Sequence, residues 1–209
     1  MKARRVKKLD SSASLAENAA RIVLVRLDEL RSFAPRALEP DHARAQHDMR
    51  IAAKRLRYIL ETTETCFGQP ATVARRQARD LQGVLGDLHD CDVMLPRVER
   101  HVARLLEADA GAIRSAAEGD DIDPALASRA PNRAAYRGLE ELAAFIGARR
   151  RFLHDRFRRL WEAQERAAMW NDLERAAKHV VHEPPSSAAR VEDPASEGER
   201  PDAPYVPAA

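Results

Sequence analysis

The helical spacing of the apolar residues constrains the fold of this 209-residue chain more than any other feature. Its first helical segment places apolar side chains at the intervals of one helix face, at Leu15, Ile22, Val25 and Leu30. No segment shows the strict alternation of a half-buried strand. The scarcity of glycine (8 residues) and of aromatic residues (5%) also argues against a β-sandwich or barrel. The sequence therefore predicts an all-α fold, an antiparallel bundle of long helices.

Prolines, glycines and capping residues divide the chain into four predicted helices. These helices cover about residues 10–33, 41–67, 71–108 and 132–181. Pro96 lacks a backbone donor, so it predicts a kink or a break in the third helix. The last helix is expected to break near Asn171, and the stretch between the third and last helices is predicted as a loop with room for one short helix.

Charge separates the chain into three predicted regions. Residues 1–9 hold five cations and are predicted to be a mobile basic arm, followed by a helical domain over residues 10–182. Residues 183–209 hold six acids, two arginines and half of the twelve prolines, which predicts a disordered acidic tail. The tail carries −4 and the remaining chain +6, which together give the net +2. A basic domain of this kind favours a polyanionic partner.

Neither the membrane nor the secretory pathway is indicated by the sequence. No apolar run approaches the roughly 18 residues of a membrane span. The first residues, Met1-Lys2-Ala3-Arg4-Arg5, lack the apolar stretch of a secretory signal. Two cysteines, Cys66 and Cys91, are too few for a disulfide scaffold, so we expect a cytoplasmic protein.

A row of cations runs along the predicted second helix. On a helical wheel, four side chains share roughly 80° of arc and about 15 Å of helix. This row is called the α2 row, after the second helix predicted over about residues 41–67, and comprises His47, Arg50, Lys54 and Arg57. Like charges at these spacings repel, and the only acid in the row is Glu61 at its far end. Two interpretations stay open at this point: a phosphate-binding row, or an ordinary solvated helix face.

The third helix carries a second polar line. It comprises Arg75, Arg79, Gln82, Gly86, His89, Arg97, Arg100 and Arg104. A glycine in mid-helix costs about 1 kcal/mol relative to alanine. Either helix packing or the close approach of a phosphate would account for Gly86.

Two motifs in these helices carry a family resemblance. The segment His47-Asp48-Met49-Arg50-Ile51-Ala52-Ala53-Lys54-Arg55-Leu56-Arg57-Tyr58-Ile59-Leu60-Glu61 resembles the signature helix of the CHAD family, the conserved histidine α-helical domain. The segment Leu81-Gln82-Gly83-Val84-Leu85-Gly86-Asp87-Leu88-His89-Asp90-Cys91-Asp92-Val93 is similar to the second motif of that family. The order and the spacing of the motifs agree, and the resemblance covers about residues 14–165.

The resemblance implies a helical bundle that binds inorganic polyphosphate in the cytoplasm or at polyphosphate granules, without catalysis, cofactor or metal. It implies three sets of ligands: the α2 row with the adjacent Arg55 ranked lower; Arg79, Gln82 and His89 from the second motif; and Arg149 and Arg156 on the last helix. On a helical wheel these last two arginines share the arc of Leu142, Phe145, Phe152 and Leu160. They either extend from the edge of the core to solvent or face an internal basic channel, and the resemblance implies the channel. Asp90 would hold and orient the arginines. A typical CHAD domain has two repeats, but only one signature helix occurs here. Either the chain is a compact half-domain, or two chains pair as a homodimer.

Two other functions remain as alternatives. HD-type metal-dependent phosphohydrolases are also helical, and His-Asp dipeptides occur at His47, His89 and His154, with His42 and Asp172 available as further ligands. Helical geometry scatters the residues around His89, however, so those acids are expected to be structural. Generic nucleic-acid binding is disfavoured because Tyr58 is the only aromatic residue near the α2 row, and single-strand readers stack bases on aromatic rings.

Overall fold

A computed structural model describes residues 2–117 and 121–182, and six α-helices account for most of them. They are α1 (Leu15–Ala37), α2 (Ala43–Thr63), α3 (Gln69–Ala116), α4 (Ala125–Ser128), α5 (Arg133–Arg166) and α6 (Met169–His182), with a 3₁₀ turn at Glu64–Cys66. No strand occurs in the described residues. The predicted all-α class is confirmed. The predicted acidic tail, residues 183–209, lies outside the described residues.

The start of α1 is set by a reciprocal cap. The Glu17 backbone N–H donates to Ser14 Oγ at 3.2 Å, and the Ser14 backbone N–H donates to Glu17 Oε2 at 2.9 Å. The cap predicted at Asp10-Ser11-Ser12 is wrong, because Asp10 accepts from the Ser12 N–H in a tight turn instead. Only Ser14 has a glutamate three residues later to close the box.

The third helix does not break at Pro96. It runs uninterrupted for 48 residues, about 70 Å, past the predicted end near residue 108. Contacts with α5 hold it on both sides of the exposed proline: Arg150 Nε donates to Asp92 Oδ1 at 2.5 Å, and Asn132 Nδ2 donates to Asp109 Oδ1 at 2.8 Å. These tertiary contacts stabilise the helix despite the lost backbone hydrogen bond. The short helix allowed in the following loop is α4.

The predicted last helix is two helices. The chain turns at Ala168, which adopts a positive φ of 53°, three residues before the expected break at Asn171. Trp161 and Trp170 stack across this turn with ring centroids 6.1 Å apart, and both are buried. The aromatic contact therefore joins α5 to α6 in the core.

The core positions α2 and α3 with their polar sides outward. Helix α2 packs between α1 and α3, while α3 also packs against α5 and α6. Fully buried side chains fill the centre, among them Leu27, Leu30, Leu56, Leu60, Leu81, Leu85, Leu88, Phe157 and Leu173. Helices α2 and α3 also bury alanines, among them Ala53 and Ala78.

Candidate functional site

Helices α2 and α3 bring their polar lines side by side. The imidazole rings of His47 and His89 lie 4.5 Å apart between centroids, tilted by 47°. At the other end of the α2 row, Arg57 Nε donates to Gln82 Oε1 at 3.0 Å. The partners run in opposite order along the two antiparallel helices. Residues that the sequence placed in two separate lines therefore form one ladder.

Gly86 lies in the middle of this ladder, beside Arg50. A Cβ built on Gly86 would lie 3.5 Å from Arg50 Nε, which is an ordinary van der Waals contact, and would meet nothing else within 4 Å. No neighbouring backbone therefore requires a glycine there. The missing side chain instead leaves space next to a guanidinium.

An open groove of 980 Å³ extends from this ladder between α3 and α5. Its wall includes Arg57 from α2, Arg79, Gln82 and Gly83 from α3, and the α5 residues Arg156, Arg159 and Leu160. The arginines at positions 79, 156 and 159 are exposed and have no ion-pair partner among the residues that the structure describes. Two acids, Asp80 and Asp87, also line the groove. Four guanidinium groups from three helices thus surround one depression.

Arg159 is a groove residue that the sequence analysis did not single out. It follows Arg156 by three positions, so the two share a helix face. The helical wheel identified Arg156 as a candidate ligand because it lies on the apolar arc of the last helix. Arg159 was not identified by its position on that arc. A criterion based on charge spacing alone would have found it.

The exposed Tyr58 ring is covered by the cations beside it. Lys54 Nζ lies 5.5 Å from the ring centroid and Arg57 Cζ lies 4.6 Å from it. Cations at these distances are attracted to the face of the ring. Both basic side chains therefore lie close to this ring, while Arg57 also donates to Gln82 of α3.

The remaining predicted site residues lie at the edges of this arrangement. Arg55 Nη1 donates to the buried Glu29 at 3.0 Å, so Arg55 faces α1 and not α3. Arg149 is exposed and lies next to Cys91. Burial raises the pKa of the Cys91 thiol above its ordinary value, and the charge of Arg149 offsets part of this rise. Asp90 is exposed, and within the described ranges it forms no ion pair or hydrogen bond with an arginine of the α2 row.

Two polar atoms of the α2 row are buried without a hydrogen-bond partner, His47 Nδ1 and Arg50 Nε. Burial lowers the pKa of His47, and the neighbouring His89 and Arg50 lower it further, while Asp48 opposes them. Unpaired buried donors cost free energy, so they call for an explanation other than stability. Both atoms belong to residues of the ladder, where His47 contacts His89 and Arg50 lies beside Gly86.

The acids around His89 do not gather into a metal site. Asp92 accepts a hydrogen bond from Arg150 of α5, on a different side of α3 from the His47–His89 contact. Within residues 2–117 and 121–182, no three His, Cys, Asp or Glu side chains are grouped so that they could hold a metal ion. No described helix combines the length and the apolar character that crossing a bilayer requires.

Fold and site together define a helical protein with a groove lined by cations. The sequence model of the CHAD domain matches residues 2–99, slightly less than half of the chain, and this stretch includes both motifs. The resemblance drawn from the motifs is thereby confirmed. CHAD domains in general bind polyphosphate and are not catalytic. Neither a curated protein nor a solved structure was found to match the chain.

Proposed function

We propose that this protein binds inorganic polyphosphate, without turnover, along the α2–α3 ladder and the adjoining groove. The observation that carries the proposal is the convergence of arginines from α2, α3 and α5 on one open groove. The proposed ligands are His47, Arg50, Lys54, Arg57, Arg79, Gln82, His89, Arg156 and Arg159. Arg55 and Arg149 lie at the margins and contribute through their charge.

Polyphosphate suits the chemistry of these side chains. Arginine forks donate two parallel hydrogen bonds to phosphate oxygens, and Lys54 supplies a compact charge. A phosphate drawn against Gly86 would offer acceptors to Arg50, whose Nε lacks one. Because each phosphate repeats the same acceptors, a linear chain can follow the row of donors.

Nucleic acid fits the same surface less well. Single-strand readers offer open aromatic faces on which bases stack. Here the ring of Tyr58 is occupied by Lys54 and Arg57. Polyphosphate carries no bases and needs no such platform.

The test is a pair of titrations at two salt concentrations, one with polyphosphate and one with single-stranded DNA of equal charge. We expect tighter binding of polyphosphate at both concentrations, because its closely repeated phosphate oxygens match the row of donors. The two salt concentrations measure how much of each affinity comes from counterion release, which depends on the charge density of the polyanion. Equal affinities for the two ligands would reduce the function to generic polyanion binding.

Two further measurements address turnover and assembly. We expect no release of phosphate from polyphosphate or phosphate esters with Mg²⁺ or Mn²⁺; metal-dependent release that is lost in His89→Ala would support the HD-type alternative. The homodimer hypothesis is tested by the mass of the protein in solution with and without polyphosphate. In a cell, we propose the cytoplasm and polyphosphate granules as its location.

A further inference from the structure

The N-terminal arm, residues 2–9, lies along α1. The Arg4 backbone N–H donates to Glu29 Oε1 at 3.2 Å, and the Arg4 carbonyl accepts from Arg26 at 3.0 Å. Further along the arm, the Lys8 carbonyl accepts from Arg21 at 2.6 Å. The arm therefore runs antiparallel to α1, and hydrogen bonds to its backbone hold it there. The mobility that the sequence predicts for the arm stays a prediction.

Glu29 joins the arm to α2. This carboxylate is 1% exposed, and its Oε1 atom accepts both from the Arg4 N–H and from Arg55 of α2. Its other oxygen accepts from Arg26 at 2.7 Å. One buried oxygen thus holds the arm against the edge of α2 that faces away from α3. The α2 row contacts α3 on the other side of α2, so it lies between the arm and the groove.

The arm carries more positive charge than its own contacts neutralise. Arg4 forms an ion pair with Asp28. Four other cations are exposed and have no ion-pair partner in the described part of the chain: Lys2, Arg5, Lys7 and Lys8. A backbone fixed by a buried carboxylate keeps these like charges close together, although their mutual repulsion opposes it.

We propose that the arm is a second binding element for the same linear polyanion. A polyphosphate chain seated in the groove would cross the α2 row and continue onto Lys2, Arg5 and Lys7. This inference rests on the proposed function, because it extends that site to the far edge of α2. It also predicts a dependence on ligand length, since a short chain can occupy the groove without reaching the arm.

The experiment compares two triple variants with the same change in net charge. The arm variant is Lys2→Gln with Arg5→Gln and Lys7→Gln. The matched control is Arg114→Gln with Arg129→Gln and Arg133→Gln, at the distal end of the α3–α5 pair and away from the groove. All six side chains are exposed, so both variants are expected to keep the helical circular dichroism of the parent. Each is titrated with long-chain polyphosphate and with tripolyphosphate.

We expect the arm variant to bind long-chain polyphosphate about tenfold more weakly at low salt, the size typical of three exposed ion pairs. The slope of log affinity against log salt should fall by about 2, since three contacts to a flexible polyanion are lost. Tripolyphosphate affinity should be unchanged, and the control should bind both ligands nearly as the parent does.

Equal losses in the arm variant and the control, or equal losses for long and short ligands, would overturn the proposal. Arg50→Gln with Arg57→Gln is measured in parallel and separates the two hypotheses. If that variant loses binding while the arm variant does not, the groove is the site and the arm is not part of it. If neither loses binding, the proposed function itself fails.

Discussion

At the scale of single residues, the proposed polyphosphate site depends on two arginines of the ladder. Arg50 and Arg57 are half-buried on α2, opposite its apolar face. We expect Arg50→Ala with Arg57→Ala to weaken polyphosphate binding on the order of a hundredfold, because hydrogen bonds to charged groups contribute about 1.5–3 kcal/mol each. Helicity should be retained, since neither side chain fills the core. A collapse of the circular dichroism signal would instead make both residues structural.

Gly86 allows stability and binding to be separated. The Cβ in Gly86→Ala would make only an ordinary contact with Arg50, so the variant should gain about 0.5–1 kcal/mol in free energy of unfolding from helix propensity. The same methyl group occupies the space beside the guanidinium, and polyphosphate affinity should fall severalfold. Urea unfolding and titration measure the two effects. Unchanged affinity would show that the space beside Arg50 is not used by the ligand.

The His47–His89 pair predicts opposite effects of acid on stability and on binding. Burial, more than any other cause, lowers the pKa of His47 in the folded state. As the pH falls through about 6.5, the ordinary pKa of histidine, His47 of the unfolded chain therefore takes up a proton before His47 of the folded chain does. The stability that the neutral His47 contributes is thus present above about pH 6.5 and is lost as the pH falls further. A bound polyanion favours the protonated imidazole, so affinity should rise as the pH is lowered.

The measurement is a series of polyphosphate titrations between about pH 8 and pH 6, a range that spans the ordinary histidine pKa. The parent should bind more tightly at the acidic end, and His47→Gln should show a flatter profile. His154→Gln serves as the control. His154 is buried and its pKa is also lowered chiefly by burial, but it lies outside the groove that Arg156 and Arg159 of the same helix line. An identical pH profile in parent and His47→Gln would remove the imidazole from the site.

At the scale of helices, the sequence predicted the helical type of the segments better than the positions of their ends. The apolar periodicity of α1, α2, α3 and α5 is local information, and so is the cationic face of α2. The ends depend on contacts that no local pattern contains. Helix α3 continues through Pro96 because Asp92 and Asp109 bind α5 on either side, and the turn at Ala168 brings two tryptophans together.

The candidate site was predictable to the same degree. The helical wheel identified the residues of the α2 row and of the α3 line separately. Because α2 and α3 are antiparallel, the order of residues along each helix then determines which residues of the two lines are neighbours. It did not show that Arg159 reaches the groove or that Arg55 turns toward Glu29. Those two placements depend on where α5 and α1 pack, which is a property of the whole bundle.

Arg150 is one of the side chains that attach α5 to the rest of the bundle. Besides Asp92, it donates to the carbonyl of Pro40 at 2.9 Å and to Gln46 Oε1 at 3.4 Å, so it joins three segments. We expect Arg150→Ala to lower the free energy of unfolding by about 2–3 kcal/mol, because it leaves the mostly buried Asp92 unpaired. The neighbouring Arg151 is exposed, and Arg151→Ala should stay within about 0.5 kcal/mol of the parent. Equal effects of the two substitutions would refute the structural role of Arg150.

At the scale of the whole molecule, opposite charges are distributed between the domain and the segment that follows it. Residues 1–182 carry +6, and residues 183–209 carry −4. A tethered segment remains at high effective concentration near its own domain. It is therefore expected to compete with a polyanion for the cations of the groove. The competition should be modest, because the six acids of the tail are spread over 27 residues, whereas polyphosphate carries charge on every unit.

Truncation after His182 should accordingly tighten polyphosphate binding at low salt. The gain should fade as salt rises, because the Debye length falls from about 30 Å at 0.01 M to about 8 Å at physiological ionic strength. A matched control keeps the length of the tail and replaces its six acids by Asn and Gln; it should bind as tightly as the truncated chain if charge is the cause. If the tail is an inert extension, the full-length, truncated and neutralised proteins will have equal affinities at low ionic strength. If only truncation tightens binding, the tail acts by excluding volume around the groove and not by its charge.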